Sequence, residues 1–257
     1  MELFDFEKKE PEISPLRLVS DNKEPHLFPV IEKQFVNFIF FRVNPDWRKL
    51  NAETKHNFKS EFQNVFNNFN DQLLLYSYSL VGFDSKADLM FWRIGNSLDS
   101  IQDMTAKLYH TNLGNYLETT DNYLAMTRKM MFISEDSHDS AEDRYHIKAG
   151  AKKYHFVYPC AKSRDWYSMT DEERAQLMEQ NFMVGKKFEN IKIHLTHAFG
   201  FHEQEYIVSF ETDEPKDFLA LAEEMRETAA ASKFTMRGMP IYTCRQRPLM
   251  ECLDAIG

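Results

Sequence analysis

The first half of the chain alternates between strand-like and helix-like spacing of apolar residues. Residues 34–43 are almost continuously apolar, which predicts a buried strand. Residues 51–69 carry apolar side chains at i, i+4, i+7 and i+8, which predicts an amphipathic helix. The pattern then predicts a strand at 73–81, a hairpin loop at 82–86, a strand at 87–94, a helix with Leu98, Ile101, Met104 and Leu108 on one face, and a strand at 123–133. The order β-α-β-β-α-β is that of a ferredoxin-like unit.

The second half follows the same order. A strand is predicted at 154–159. Thr170 and Glu173 have the spacing of a capping box, with Thr170 at the N-cap and Glu173 at N3, and predict a helix that runs to about Phe188. Strands at 191–198 and 205–212, a helix that begins after Thr212 and a last strand at 234–244 complete the second unit.

Three landmarks of the first half recur in the second half at a spacing of 118 or 119 residues. Asp46-Trp47 matches Asp165-Trp166, Gly82-Phe83 matches Gly200-Phe201, and Asp99 matches Asp217. A chance match between common dipeptides is the alternative, but the shared order of elements favours an internal duplication.

The predicted fold class is therefore α+β, with two fused ferredoxin-like units of the dimeric α+β barrel type. The predicted boundaries are an N-terminal arm at 1–33, a first unit at 34–133, a polar linker at 134–152 and a second unit at 153–257. Two helices cover one face of each sheet. The other face is rich in Phe and Tyr, and we expect it to pack against the other unit or another subunit.

Composition narrows the class of function. The 257 residues are 43% hydrophobic and 28% charged, which is typical of a globular protein, and 22 of them are Phe. The net charge of -9 argues against general binding to nucleic acid, because an acidic surface repels phosphate.

The cysteines and the N-terminal sequence suggest a compartment. Cys160, Cys244 and Cys252 form no CxxC pair, and an odd number argues against a disulfide framework or a zinc site. No apolar run reaches membrane-spanning length, and the acidic N-terminal sequence does not resemble a secretory signal. We therefore expect a cytoplasmic protein without a membrane span.

Several short strings resemble the chlorite dismutase superfamily, and especially its coproheme decarboxylase branch. They are Phe35-Val-Asn-Phe, Pro45-Asp-Trp-Arg48, Ser77-Tyr-Ser-Leu-Val-Gly82, Ala87-Asp-Leu-Met-Phe-Trp-Arg93, Tyr123-Leu-Ala-Met-Thr-Arg128, Phe156-Val-Tyr-Pro159, Asp165-Trp-Tyr167, Ala198-Phe-Gly200 and Phe210-Glu-Thr-Asp213. The resemblance implies two fused ferredoxin-like domains, a homopentamer, and haem or coproheme bound in the second half. It also implies one of two reactions: peroxide-dependent conversion of two coproheme propionates to vinyl groups, or the splitting of chlorite into chloride and dioxygen.

The resemblance places the iron ligand on the first long helix of the second half, where the family has histidine. Fourteen residues beyond Tyr167 the residue is Asn181, and no histidine lies between His155 and His194. Leu177, Asn181, Val184 and Phe188 share the apolar face of that helix. Asn181 then either bonds to a neighbouring backbone group or lines a pocket, and an amide is a poor ligand for haem iron. We expect no other metal site.

The resemblance implies further site residues. Tyr158 corresponds to the tyrosine that carries the radical to the propionate, and Lys162 to the lysine that holds the carboxylate; a strand tyrosine and a surface lysine are the structural alternative. His194 stands where chlorite dismutases have a distal arginine and many decarboxylases a glutamine. It could face the cofactor and act in catalysis as a general base in peroxide cleavage, or bind the iron from the opposite face; an ordinary half-buried histidine is the structural alternative. The positions that anchor propionates in the family correspond to Arg128, Arg226 and, more weakly, Arg237, since arginine binds carboxylate with two hydrogen bonds. Ser232 would add a hydroxyl group to this set. A helix-end role is the alternative for Arg226.

Three functions remain open from the sequence. The first is a haem- or coproheme-binding enzyme with altered iron ligation, whose reaction is decarboxylation with peroxide. The second is a catalytically inactive oligomeric relative, with or without a bound porphyrin. The third is a different activity in the same pocket. Chlorite dismutation is disfavoured because both the iron histidine and the distal arginine are missing.

Overall fold

A computed structural model describes residues 33–128, 147, 149, 152–237 and 240–257. The predicted arm, apart from its last residue, and most of the predicted linker lie outside these residues, so their boundaries stay predictions. Within the described part of the chain, no helix is long and apolar enough to cross a bilayer. The three cysteines all lie in this part and are buried thiols that form no disulfide.

The first half has the predicted order of elements. They are β1 (Phe35–Val43), α1 (Ala52–Asn67), β2 (Leu73–Ser79), β3 (Leu89–Gly95), α2 (Leu98–Tyr109) and β4 (Leu117–Met126). The main difference is β4, which begins six residues before the prediction because it pairs with β1 along its whole length, from Val43↔Leu117 to Phe35↔Met126. Residues 118–122, near its start, are polar and at least partly exposed. The hydrophobicity pattern therefore did not predict this part of the strand.

The second half also follows the prediction and adds short elements. They are β5 (Tyr154–Lys162), α3 (Arg164–Tyr167), α4 (Asp171–Lys186), β6 (Lys192–His197), β7 (Tyr206–Thr212), α5 (Pro215–Glu227), α6 (Ala229–Ser232), β8 (Thr235–Arg237), β9 (Tyr242–Gln246) and α7 (Leu249–Ala255). The Thr170–Glu173 capping box is present, with both of its hydrogen bonds. The single strand predicted at 234–244 is instead two strands, because β8 pairs with residues 160–162 of β5 and β9 pairs with residues 154–157.

The strands form one barrel. Their order is β7-β6-β4-β1-β3-β2-β9-β5-β8, and β7 also pairs with β5, which closes the ring. Among the described residues, the strands of the two halves pair at two short places, Met126↔His197 between β4 and β6, and Tyr78 and Ser79 of β2 with β9. The α+β fold with ferredoxin-like order is thus confirmed. Closure explains why the strands expose few free edges.

The barrel interior is the common core of both halves. It contains large buried aromatic side chains from each, including Phe38, Phe40, Trp92 and Tyr242. Phe40 and Tyr242 come from different halves and stack with ring centroids 3.9 Å apart. Each such side chain contributes roughly 1.5–3 kcal/mol on burial. The sequence left open whether the aromatic faces of the two units pack against each other or against another subunit. In the structure they pack against each other within one chain.

Equivalent features support the internal duplication. Trp47 and Trp166 are both buried and both lie in a short helical turn that follows the first strand of its half. Gly82 and Gly200 have φ angles of 82° and 79°, a left-handed conformation that favours glycine in each hairpin loop. The halves therefore share local backbone geometry as well as the order of elements.

Candidate functional site

On the helix-facing side of β5, β6 and β7, the side chains lie in three rows. The strand registers place His197, Tyr206 and Cys160 in one row, Leu195, Val208 and Tyr158 in the next, and Ile193, Phe210 and Phe156 in the third. Helices α4, α5 and α6 pack on this side. We call these three rows and the helix side chains that face them the C-terminal layer.

The C-terminal layer is less completely buried than its counterpart in the first half. There, α1 and α2 completely bury Phe62 and Met104 against Phe91, each 0% exposed. In contrast, none of the sixteen residues of α4 is fully buried. Beneath α4, Ile193 keeps 38% of its surface exposed, and Leu195 and Val208 are only half-buried. The second half therefore has an accessible apolar surface where the first half has a packed core.

Asn181 lies in the middle of α4 and faces this layer. It is half-buried, and its amide nitrogen is 3.9 Å from the sulfur of Met178, one turn earlier. Its side-chain oxygen is buried and accepts no hydrogen bond within the described structure. The structural alternative, a bond to a neighbouring backbone group, is not observed. At the C-terminal end of α4 the packing is closer, since a methyl group on Gly185 would lie 3.2 Å from Ile193 Cδ1.

Tyr158 and Lys162 lie on one flank of the layer. Both belong to β5 and point to the helix side, where Tyr158 stacks on Phe210 with centroids 5.9 Å apart. The Lys162 ammonium donates to Thr235 Oγ1 at 2.7 Å and lies 4.4 Å from the ring centroid of Trp166. Burial lowers the pKa of Lys162 from its ordinary value. Within the described residues this cation has neutral hydrogen-bond partners and forms no ion pair.

The remaining predicted anchors lie on two sides of the layer. Arg226 in the last turn of α5 and Ser232 at the end of α6 are exposed on the Lys162 flank, where α6 supplies the Ala230 carbonyl to the lysine. Arg128 lies on the opposite flank, beyond β4 and close enough to His197 to lower its pKa. Arg237 belongs to β8, and its side chain lies outside the described residues.

His194 does not face the C-terminal layer. Because Ile193 faces α4, the alternation of β6 turns His194 into the barrel, where it is buried and lies 5.4 Å from the ring of Trp92. Its Nε2 is 2.6 Å from Glu211 Oε1. The expected position of His194 on the cofactor side is thus corrected: it belongs to a buried polar pair on the other face of the sheet.

His197 occupies the helix-facing side that was expected for His194. It lies in the row of Tyr206, with ring centroids 5.2 Å apart, and it ends β6 beside β4. Neither ring nitrogen has a hydrogen-bond partner in the described structure. The sequence carried a signal for this residue, since His197 continues the alternation of Ile193 and Leu195.

Comparisons with known proteins identify the family. The family model for chlorite dismutase matches residues 55–247. This chain belongs to the chlorite dismutase family.

Similar proteins include one named chlorite dismutase and one named coproheme decarboxylase. A chlorite dismutase from Ideonella dechloratans is 25% identical over 186 residues, which cover 70% of this chain and 65% of that protein. A coproheme decarboxylase from Staphylococcus carnosus is 25% identical over 209 residues, which cover 76% of this chain and 82% of that protein. The first match therefore spans slightly less than two thirds of the relative.

Similar solved structures support the fold. A chlorite dismutase variant from Candidatus Nitrospira defluvii has a TM-score of 0.78 at 24% identity, covering 86% of this chain and 94% of that chain. A haem-binding protein from Thermus thermophilus has a TM-score of 0.78 at 21% identity, covering 88% of this chain and 95% of that chain.

The C-terminal layer fits a tetrapyrrole of the kind that family members bind, except at the iron ligand. It offers an apolar surface, an ammonium group without an ion pair and exposed arginines on two flanks. These are the contacts that a flat apolar ring with acidic side chains requires. Helix α4, however, contains neither histidine nor cysteine, and the amide of Asn181 is not a customary iron ligand.

A concave surface of a different character lies elsewhere, where β2 and the loop that follows it meet β9 and α7. A groove of about 560 Å³ is lined by Ser79, Val81, Phe83, Arg245, Arg247, Glu251, Asp254 and Ala255. Its Arg247 is already 3.3 Å from Glu251, so part of the positive charge is compensated. The groove lacks the broad apolar surface of the C-terminal layer, which therefore remains the candidate site.

Proposed function

We propose that this member of the chlorite dismutase family binds an iron porphyrin, coproheme or haem, in the C-terminal layer and acts in haem metabolism. The observation that carries this proposal is the accessible apolar surface beneath α4, at the place where the first half is completely packed. The names of two relatives add support, since one is a coproheme decarboxylase and one a haem-binding protein.

Residues on both flanks would hold the acidic side chains of the ligand. Lys162, Arg226 and Ser232 lie on one flank and Arg128 on the other, separated by β6, β7 and β5. Adjacent strands are about 4.8 Å apart, so the flanks are separated by more than ~10 Å. A ligand with carboxylates at opposite edges of its ring, as in coproheme, could contact both.

The chain's own residues also suit the chemistry of a decarboxylase. When bound, an iron porphyrin supplies the redox chemistry with peroxide. Tyr158 places a phenol beside Lys162 on the flank proposed to hold a propionate, where a phenol can lose a hydrogen atom. The lowered pKa of Lys162 means that its ammonium gives up a proton more readily than a free lysine. We therefore propose Tyr158 and Lys162 as the catalytic residues and do not include His194.

A non-catalytic porphyrin carrier is the second candidate. The absence of histidine and cysteine from α4 favours it, because an iron without a strong ligand from that helix is less suited to peroxide chemistry. For both candidates we also propose assembly as a homo-oligomer, a pentamer by resemblance, and a location in the cytoplasm.

A titration with porphyrins tests the binding site. Purified protein is titrated with coproheme, haem b and metal-free coproporphyrin while the Soret band is followed, and we expect saturable binding. Leu195→Trp should abolish binding because the larger ring fills the layer. Leu74→Trp is the matched control, since Leu74 is 48% exposed on β2. Equal binding by the two variants, or no spectral change with any porphyrin, would refute the proposed site.

A charge variant tests the proposed carboxylate contact. Lys162→Met should weaken coproheme binding about ten- to hundredfold, since a charge-assisted hydrogen bond contributes ~1.5–3 kcal/mol. Lys216→Met is the control, because that side chain is 79% exposed and lies at the start of α5.

Mass spectrometry after addition of peroxide to the coproheme complex separates the two candidate functions. Stepwise loss of two carboxyl groups indicates the enzyme, and unchanged coproheme indicates the carrier.

A further inference from the structure

His197 differs in its surroundings from the other histidines buried in the second half. His155 and His194 lie in the barrel interior, whereas His197 faces the C-terminal layer. It follows Leu195 on the same face of β6, one step of about 6.8 Å along the strand. Both of its ring nitrogens are buried without a hydrogen-bond partner in the described structure. A buried polar group without a partner is rare, and a bound water, ion or ligand commonly completes its bonding.

The protonation state of His197 suits a metal ligand. Burial and, secondarily, the neighbouring Arg128 lower its pKa from 6.5 to about 4. The ring is therefore neutral at pH 7 and has a nitrogen lone pair that can bind a metal. Imidazole is a customary protein ligand of haem iron, and a neutral ring binds without first losing a proton, unlike the thiol of Cys160 or the phenols of Tyr158 and Tyr206.

Other side chains near the layer are weaker candidates. Asn181 has an amide, which is a poor ligand for iron. The other candidate iron ligands on α4 are the thioethers of Met178 and Met183. Cys160 lies in the same row as His197, but β7 separates them, and this thiol is 6% exposed.

We propose that His197, at the end of β6, is the axial ligand through which this chain binds porphyrin iron, in place of a histidine on α4. This proposal rests on the proposed porphyrin site. Iron would then be bound from the sheet side of the layer instead of the helix side. Because both nitrogens are covered, the ring must turn toward the layer on binding. The neighbouring Phe199 is 44% exposed, which leaves room for this movement.

The experiment compares iron-containing and metal-free porphyrins. Absorption and resonance Raman spectra of the ferric coproheme complex should show an iron–imidazole bond in the unmodified protein. In His197→Ala this signature should be lost, and coproheme affinity should fall at least about tenfold to that of metal-free coproporphyrin. His197→Gly should regain the signature when free imidazole is added. His202→Ala, an exposed histidine in the following loop, is the matched control and should keep it.

The outcomes separate this inference from the porphyrin site itself. Binding of metal-free coproporphyrin by His197→Ala reports that the variant is folded and that the site is intact. If coproheme binds and its spectrum is the same in His197→Ala as in the unmodified protein, His197 is not the ligand, although the porphyrin site stands. If neither coproheme nor coproporphyrin binds to the unmodified protein, the proposed function itself is wrong.

Discussion

The buried histidine of the barrel interior leads to a prediction about pH and stability. His155 is 0% exposed, and neither ring nitrogen has a hydrogen-bond partner in the described structure. Its ring packs against Trp92, with centroids 4.6 Å apart, and against Tyr78 at 5.2 Å. Burial, and to a lesser extent the neighbouring His194, lowers its pKa well below 6.5. The folded protein therefore holds this imidazole neutral in mildly acidic solution.

The size of the effect follows from the difference between the folded and unfolded states. In the unfolded chain this histidine takes up a proton as the pH falls through 6.5, whereas in the folded protein it does not. The extra proton stabilises the unfolded state, so the free energy of unfolding decreases as the pH is lowered. Between pH 8 and pH 5 the loss from His155 alone is about 2 kcal/mol. His197, whose pKa burial lowers to about 4, adds a contribution of the same sign.

The variant His155→Leu isolates this contribution. Leucine has a similar volume and no buried polar atoms, so we expect the variant to be no less stable than the unmodified protein at pH 8. Urea unfolding followed by tryptophan fluorescence at pH 8, 7, 6 and 5 gives the free energy of unfolding. The unmodified protein should lose about 2 kcal/mol relative to His155→Leu over this range.

A surface histidine provides the control for this experiment. His110 follows α2 and is exposed, so His110→Leu should leave the pH dependence of the unmodified protein unchanged. Parallel curves for the unmodified protein and His155→Leu would refute the reasoning, because they would mean that His155 is protonated equally in the folded and unfolded states.

Three further substitutions test other parts of the fold by thermal or urea unfolding. Thr170→Ala removes the N-cap acceptor for the Glu173 amide, 3.2 Å away, and should cost about 1 kcal/mol, with faster hydrogen exchange in α4 as the local measurement. Gly200→Ala should cost ~1–2 kcal/mol through its φ of 79° alone, since no atom lies within 4 Å of the added methyl. Trp47→Phe loses the hydrogen bond from the indole to the Gly257 carbonyl at 2.8 Å and should cost about 1 kcal/mol; an unchanged midpoint would mean that this bond contributes nothing.

The sequence by itself predicted most of the elements and their order. The apolar run of β1, the helical spacing of Phe62 and Phe66 in α1 and the capping box of α4 are local signals, and each acts within a few residues of the chain. The near-constant spacing of repeated landmarks predicted two similar units. The sequence did not separate β8 from β9, because each pairs with a different part of β5, and it missed the start of β4, which only its pairing with β1 defines.

The site residues show what the tertiary structure alone decided. The alternation of β6 required His194 and His197 to face opposite sides, but it did not say which side meets α4. Docking of the helices on Ile193 decides this, and it turns His194 into the barrel and His197 toward the C-terminal layer. The openness of that layer is also invisible in the sequence, since Leu195 and Val208 are as apolar as any core residue. Local spacing determines which side chains share a face, whereas the packing of distant elements determines what covers that face.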